Sequence, residues 1–381
     1  MLVSDLTSHG QRPWTTFPDK ETSQSTPAVY FVTSGTTGLP KLAVISHFSL
    51  IFQNQAATHE PAAAYPVIRL ACLPLFHIFG AAWALIPPLR HGQPVYIAPR
   101  YPGLAAYAHQ IHAFAVTDTY MAPPMVHALI NNAAEIPELA ALLATLRYVG
   151  VGGAPIGGAA LSALRGRLLC AGAVVSQVWG MTEFGPAALF RRRDGEEAGS
   201  VDLSSVGRLL PGYEARFLDV DGVDIGDGPG SLHVRTPGVM LGYRGVVMGD
   251  DERAWYPTGD LGCVRNGMLY ITGRSKEMIK VKGWQVSPAE LEAVILRHPH
   301  ISDCAVVGVK TADGLGEAPR AFVVPKIGSD LSQELLTIDL CNLVKRELAS
   351  YKSLETVVCV QSIPRTVSGK TQRYKLLQVV V

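Results

Sequence analysis

Residues 32–41, VTSGTTGLPK, bring hydroxyl groups, glycines and a lysine together in one short stretch. Gly35 and Gly38 allow the backbone to approach a ligand closely. The hydroxyls, the backbone amides and the ammonium group of Lys41 supply the donors that a bound phosphate needs. The spacing differs from that of the Walker loop, because Pro40 precedes the lysine and Leu42 follows it. The stretch therefore predicts a phosphate-binding loop of another kind.

The charge balance argues against several broad classes of function. Lysine and arginine number 33 against 32 aspartates and glutamates, and the net charge is +1. Such a chain has no general attraction for nucleic acid or an acidic membrane. The six cysteines form no C-x-x-C pair and the histidines no H-E-x-x-H pattern, which argues against a disulfide framework and a zinc site. We expect a cytoplasmic protein, because no targeting signal opens or closes the sequence.

The elements that must position the loop follow from the order of apolar segments. Residues 29–179 alternate short apolar strands with helical stretches, which predicts an α/β fold with parallel strands. Residues 206–270 contain strands separated by Gly, Pro and Asp turns, which predict a small β-rich subdomain. A compact α+β unit follows. We therefore divide the chain into a core over residues 1–274 and a mobile C-terminal domain over residues 275–381.

Two local patterns add detail to this division. Residues 70–89 have the length and apolarity of a membrane span, but three prolines and a glycine interrupt them. A buried strand, a loop and the start of a helix explain this segment better, so stable membrane insertion is not expected. Within the C-terminal domain, Pro288 predicts a helix start, with Ser287 as the cap and Glu290 completing a capping box.

Seven motifs occur together in a fixed order: TSGTTGLPK at 33–41, PLFHIFG at 74–80, GGAP at 152–155, WGMTEFG at 179–185, TGDLG at 258–262, GRSKEMIKVKGWQVSPAELE at 273–292 and PRTVSGKTQR at 364–373. This series resembles the AMP-forming adenylate enzymes, and most of all the 4-coumarate:CoA ligase and medium-chain acyl-CoA synthetase branch. The resemblance covers residues 29–376. Members usually carry a further segment before the phosphate loop, so it predicts a chain that is short at its N-terminus.

The chemistry of such enzymes agrees with what the sequence lacks. A carboxylic acid that reacts with ATP is its own nucleophile, so no catalytic serine or cysteine is required. Catalysis then consists of positioning the reactants and stabilising charge on the phosphoryl oxygens. The resemblance implies that ATP, Mg²⁺ and CoA are the cofactors and that a small carboxylic acid is the substrate.

The resemblance also assigns the nucleotide-binding residues. The phosphates would be held by Thr33, Ser34, Gly35, Thr36, Thr37 and Lys41. Thr182 would contact the α-phosphate, and Glu183 would hold Mg²⁺, a hard cation that prefers carboxylate oxygen. The adenine would be bounded by Gly153, Ala154, Gln177, Trp179 and Gly180. Trp179 stands where tyrosine is more common, so it keeps a stacking face but lacks the hydroxyl. Asp260 and Arg274 would bind the ribose.

The acid would lie beside His77, which the family uses at the acyl pocket, although a lone histidine in an apolar run is more often a core residue. The other predicted pocket residues are Phe76, Phe79, Met121, Pro124, Met125, Gly152, Gly153 and Met181. Residues 69–90 contain no acidic side chain that could pair with a substrate amine. We therefore expect an uncharged aryl or aliphatic acid.

The C-terminal domain would supply the remaining groups. Lys370 resembles the lysine that bridges the acid and the α-phosphate during adenylation, and Lys276 matches the hinge of the moving domain. The CoA channel would include Lys280, Lys282, Gly283, Trp284 and Gln285. Two alternatives stay open at this point. The acyl group could pass to a carrier protein or an amine, or the chain could be a truncated, non-catalytic nucleotide-binding protein.

Overall fold

A computed structural model of the protein describes residues 16–33, 41–58, 63–98, 100–190, 202–311, 316–326, 328, 331–366 and 369–378. Seven residues of the predicted phosphate loop, 34–40, lie outside this description, and they include the predicted phosphate ligands Ser34, Gly35, Thr36 and Thr37. Its two flanking residues, Thr33 and Lys41, are included.

The described residues up to position 209 form nine short strands: β1 (Pro27–Thr33), β2 (Lys41–Ser46), β3 (Arg69–Ala71), β4 (Val95–Ile97), β5 (Asp118–Met121), β6 (Tyr148–Gly152), β7 (Val174–Met181), β8 (Gly185–Leu189) and β9 (Arg208–Leu209). One seven-stranded sheet has the order β4-β3-β5-β6-β7-β8-β9. Its pairs are parallel from β4 to β7 and antiparallel at β8 and β9. This sheet confirms the predicted α/β architecture.

Helices connect these strands: α1 (Lys20–Ser25), α2 (His47–Thr58), α3 (Ile78–Ala84), α4 (Ile86–His91), α5 (Leu104–Ala113), α6 (Pro123–Asn131), α7 (Leu139–Leu142) and α8 (Gly158–Leu168). The sheet is covered on both faces. Residues of α2 and α3 contribute to one hydrophobic core, and residues of α5, α6 and α8 to the other. The membrane-like segment forms β3, a loop, α3 and the start of α4, and no described helix is both long and apolar enough to cross a bilayer.

The predicted β-rich region is confirmed as well. It contains β10 (Glu214–Leu218), β11 (Gly230–Arg235), β12 (Gly242–Tyr243), β13 (Val246–Val247), β14 (Tyr256–Arg265) and β15 (Met268–Arg274), with the short helix α9 (Asp250–Ala254). Strands β10, β11, β14 and β15 form one antiparallel sheet. Strands β12 and β13 instead extend the β1-β2 sheet, which brings Tyr243 beside Ala43.

The C-terminal part is a small α+β unit with its own core. It contains β16 (Ile279–Val281), β17 (Trp284–Val286), α10 (Pro288–Ile295), β18 (Ile301–Lys310), β19 (Glu317–Pro325), α11 (Gln333–Glu347), β20 (Thr356–Cys359) and α12 (Arg373–Leu376). Lys276 lies in the 3₁₀ turn Ser275–Glu277, between β15 and β16. The division at residues 274 and 275 and the hinge role of Lys276 stay predictions.

The parallel strands determine where the predicted site residues meet. Predicted site residues follow the carboxyl ends of four of these strands. His77 follows β3, Pro124 follows β5, Gly153 follows β6 and Glu183 follows β7. Strand β3 lies between β4 and β5, so the connections on its two sides run in opposite directions. Ligands of open α/β sheets bind at such a point, outside the carboxyl ends of the strands.

Candidate active site

Asp260 is a buried carboxylate held from two sides. It is 4% exposed, and its register partner across β14 and β15 is Arg274. Arg274 Nε lies 2.9 Å from Asp260 Oδ1, and the indole N–H of Trp179 donates to Oδ2 at 2.9 Å. Burial raises the pKa of Asp260, while the charge of Arg274 and the Trp179 hydrogen bond lower it. Trp179 therefore makes a hydrogen bond although it lacks the hydroxyl of the more common tyrosine.

Glu183 is held by a tyrosine that the motifs do not reveal. The hydroxyl of Tyr243 donates to Glu183 Oε1 at 2.6 Å, and Glu183 is 6% exposed. The ammonium of Lys41 lies 4.8 Å from the centre of the Tyr243 ring, which is a cation–π contact. Burial raises the pKa of Tyr243 well above its usual value, and the charge of Glu183 acts in the same direction. The hydroxyl therefore remains a donor at neutral pH.

Sheet pairing also fixes the ends of the predicted phosphate loop. Thr33 and Lys41 are direct register partners on β1 and β2. The two residues that flank the predicted loop thus lie side by side, and Lys41 lies against the ring of Tyr243. Only this pairing could have identified Tyr243, because no spacing in the sequence links it to Lys41 or Glu183.

Lys370 reaches the same cleft from the C-terminal unit. Gly369 has a φ of +86°, and a Cβ at its position would lie 3.4 Å from Cβ of Ala122 and 3.8 Å from Pro124. The turn therefore packs against the start of α6. Burial lowers the pKa of Lys370, as does the charge of Arg274, whereas the carboxylates of Glu183 and Asp260 raise it. The carboxylates of Glu183 and Asp260 thus share one cleft with the cations of Arg274 and Lys370.

His77 lies at the start of α3 and caps it. Its Nδ1 accepts a hydrogen bond from the backbone N–H of Phe79 at 3.2 Å. A ring nitrogen that accepts is unprotonated, so the proton of the neutral ring is on Nε2. Nε2 is buried and has no hydrogen-bond partner among the described residues. Burial lowers the pKa of His77 to about 4, and the charge of Lys370 acts in the same direction.

Some predicted acid-pocket residues lie near His77 and others do not. Phe79 packs close to Gly152, and Pro124 faces the Gly369 turn. Phe76 is 64% exposed, and Met181 is half-buried against the core. Met121 and Met125 are core residues instead, because both side chains pack with α5 and α8 on the opposite face of the sheet. The alternation of side chains along β5 causes this: Tyr120 faces α3, so Met121 faces away.

Some of the residues predicted to bound the adenine make other contacts within the protein. Thr182 is buried immediately before Glu183. Gly153 has a φ of +87°, and a Cβ on Gly180 would lie 2.3 Å from the carbonyl oxygen of Gly185, so both positions require glycine. The amide of Gln177 donates to the carbonyl oxygen of Leu203 at 2.8 Å. Ala154 is half-buried beside Gly153.

Comparison with known proteins identifies the family. The sequence profile of the AMP-binding enzymes matches residues 3–244, and that of the AMP-binding enzyme C-terminal domain matches residues 290–370. The chain belongs to the AMP-binding enzyme family. The resemblance drawn from the seven motifs is thereby confirmed.

Relatives in this family are known from fungi. Acyl-CoA ligase ppsA of Aspergillus oryzae is 43% identical over 99% of this chain and 67% of its own length. Nicotinic acid-CoA ligase pyr1 of Aspergillus fumigatus is 40% identical, also over 99% of this chain and 67% of its own length. The chain thus spans about two thirds of the length of these AMP-binding enzymes.

Solved structures of AMP-binding enzymes have the same fold. ATP-bound MatB from Rhodopseudomonas palustris matches with a TM-score of 0.80 and 26% identity, over 99% of this chain and 72% of MatB. The anthranilate CoA ligase AuaEII, solved with anthranoyl-AMP, matches with a TM-score of 0.77 and 26% identity, over 92% of this chain and 66% of AuaEII.

The predicted CoA-channel residues form an exposed hairpin of β16 and β17. Lys282 and Gly283 make the turn with φ values of +46° and +86°. Trp284 is 59% exposed and stacks on Tyr351, with 5.0 Å between the ring centroids. Lys280 and Gln285 are register partners on the same exposed hairpin. Their role in the AMP-binding enzyme stays a prediction.

Proposed function

We propose that this chain activates a carboxylic acid with ATP and transfers the acyl group to CoA, releasing AMP and pyrophosphate. Acyl-CoA and nicotinic acid-CoA ligase relatives at 40–43% identity over nearly the whole chain support this activity. The convergence of Asp260, Glu183 and Lys370, from three separate segments, carries the proposal. These are the charges needed around a ribose, a metal–phosphate complex and a reacting carboxylate.

In the first step, an oxygen of the acid attacks the α-phosphorus of ATP. A new P–O bond forms, and the bond to pyrophosphate breaks. Thr33, Lys41 and the loop between them hold the departing phosphates, and Asp260 accepts hydrogen bonds from the ribose hydroxyls. Thr182 and Lys370 stabilise the negative charge that develops on the phosphoryl oxygens.

Glu183 fits the part of a magnesium ligand. Tyr243 occupies one carboxylate oxygen, and we assign the other to the cation. The described residues contain no cluster of three or more His, Cys, Asp or Glu side chains that could form a complete metal site. Phosphate oxygens and water would therefore complete the coordination, as is usual for Mg²⁺. The bound ion would neutralise phosphate charge.

In the second step, the thiol of CoA attacks the acyl carbon. A C–S bond forms, the C–O bond to AMP breaks, and the thiol proton is released to water. We assign the required change of site to a rotation of residues 275–381 about Lys276, which withdraws Lys370 and brings the hairpin around Gly283 to the adenylate. The exposed Trp284 and the charged Lys280 and Lys282 would then guide pantetheine. A cytoplasmic location is part of the proposal, and the free thiols of all six cysteines agree with it.

Exchange of labelled pyrophosphate into ATP tests the first step. We expect exchange that depends on added acid, measured over aryl, medium-chain and long-chain acids on this 381-residue form. Absence of exchange with every acid, while ATP still binds, would leave only a non-catalytic nucleotide-binding protein.

Addition of free CoA tests the second step. A CoA ligase forms an acyl-CoA without a partner protein. The amide bond synthetase McbA of Marinactinospora thermotolerans is a structural neighbour, with a TM-score of 0.75 and 30% identity, over 92% of this chain and 68% of McbA. An amine is therefore the alternative acceptor to include. Exchange without thioester, but with amide formation, would favour that alternative.

A further inference from the structure

The helix that begins at His77 carries a group of packed aromatic rings on the side facing the sheet. Phe79 and Trp83 lie one helical turn apart on α3 and so share a face. Tyr120 of β5 packs against both: its ring is parallel to Trp83 at a centroid distance of 4.5 Å and perpendicular to Phe79 at 6.2 Å. Tyr148 of β6 adds a further ring, 6.0 Å from Tyr120. We call these four residues the ring stack.

Two glycines of β6 provide the space for the ring stack. A Cβ on Gly150 would lie 2.5 Å from the Tyr120 ring. A Cβ on Gly152 would lie 3.1 Å from the Phe79 ring and 2.6 Å from the carbonyl oxygen of Val178. Trp83, Tyr120 and Val178 are all buried. The volume that these glycines leave open is therefore filled by side chains of the protein itself.

The ring stack lies next to the groups proposed to bind the acid. His77 begins the same helix, and its buried Nε2–H has no partner among the described residues, so it is available to an oxygen of the acid. Lys370 lies close enough for its charge to act on His77. Phe79 follows His77 by two residues on α3 and packs against Gly152, so the ring stack adjoins the place where these two groups would hold the carboxylate.

We propose that the ring stack restricts this enzyme to acids whose carboxyl group is bonded directly to one planar ring, here called single-ring acids, or to chains of equally short length. The proposal rests on the function proposed above and names its substrate class. Flat aromatic acids gain edge or face contacts with Phe79, whereas a longer acid would have to displace buried rings.

The other side of α3 offers the competing route. An apolar groove with a cavity volume of about 160 Å³ lies there, lined by residues that include Ile78, Ala81, Leu85, Phe31 and Pro186. Among the described residues, this groove offers a long acyl chain a route that avoids the ring stack. Long-chain acids therefore provide a direct test of which side of α3 receives the substrate.

The experiment measures acid-dependent pyrophosphate exchange with benzoic, nicotinic, 4-coumaric and octanoic acids. For the wild-type protein, we expect kcat/KM to be at least tenfold higher for the better single-ring acid than for 4-coumaric or octanoic acid. Tyr120→Leu and Trp83→Leu open the ring stack, and each should raise the ratio of 4-coumaric to single-ring activity by tenfold or more. The two activities that enter each ratio are measured on the same preparation, so a partly unfolded sample does not alter the ratio.

Phe217→Leu is the matched control, because Phe217 is an equally buried aromatic residue of β10 outside the ring stack. Its activity ratio should equal that of the wild type. Preference of the wild type for 4-coumaric or octanoic acid, or unchanged ratios in both variants, would overturn the proposal and leave the ligase activity standing. No exchange with any acid would overturn the ligase function and this proposal with it.

Discussion

Tyr243 links the proposed metal ligand to the proposed phosphate lysine. Its hydroxyl donates to Glu183, and its ring lies under the ammonium of Lys41. Partners of this kind orient a metal-binding carboxylate, and their loss typically weakens metal binding 10–100-fold. Tyr243→Phe keeps the ring under Lys41 and removes only the donor. We expect the Mg²⁺ concentration for half-maximal pyrophosphate exchange to rise about tenfold, with most activity restored at saturating Mg²⁺.

Tyr213→Phe controls for the loss of a buried hydroxyl. Tyr213 donates to the carbonyl oxygen of Phe184 at 2.7 Å, so its hydrogen bond is of similar length and lies close by. This variant should keep the wild-type Mg²⁺ requirement. If the two variants behaved alike, the effect would be one of packing and not of carboxylate orientation.

At the scale of elements, the turn at Gly369 delivers Lys370 to the cleft while belonging to the C-terminal unit. A lysine carried in this way can serve one step and be absent from the next. Lys370→Ala should therefore reduce adenylation about a hundredfold or more, the order of loss when one charge-stabilising donor is removed. Conversion of a supplied acyl-adenylate to thioester should stay within about twofold of wild type. Equal loss of both steps would contradict the two-conformation scheme, and Lys375→Ala, an exposed lysine on α12, is the control.

The elements also show what the sequence could reveal. Alternating strand-like and helical segments predict the parallel sheet, because neighbouring parallel strands must be joined by crossover connections, which are usually helices. The helix start at Pro288 is confirmed, but the capping box is not formed: Ser287 makes no capping hydrogen bond, and Glu290 binds Lys352 Nζ at 2.6 Å instead. A contact between residues 62 positions apart decided that outcome. Met121 packs in a hydrophobic core and Tyr243 contacts Glu183, and the sequence signals neither contact, since strand facing and register are set by pairing partners far along the chain.

At the scale of the whole molecule, Lys370 of the C-terminal unit lies beside His77 and so affects the stability of the folded protein at acid pH. Burial and the charge of Lys370 lower the pKa of His77 to about 4 in the folded protein, against 6.5 for the ordinary side chain. The unfolded chain therefore binds a proton at a higher pH than the folded one. The stability contributed by neutral His77 is complete above pH 6.5 and is lost as the pH falls toward 4. Between pH 7 and pH 5 the loss amounts to about 2 kcal/mol.

His77→Asn isolates this contribution. Asparagine retains an acceptor for the Phe79 N–H but does not titrate in this range. Urea titrations at pH 7 and pH 5 should show a loss of unfolding free energy about 2 kcal/mol smaller for the variant than for the wild type. Asp260, whose raised pKa favours the folded state as the pH falls, is present in both proteins and cancels in the comparison.

Lys370→Ala should also reduce the acid sensitivity, because it removes the neighbouring positive charge. His112→Gln, at an exposed histidine of α5, should change nothing. Identical pH dependence in the wild type and His77→Asn would show that His77 is not held neutral by its surroundings.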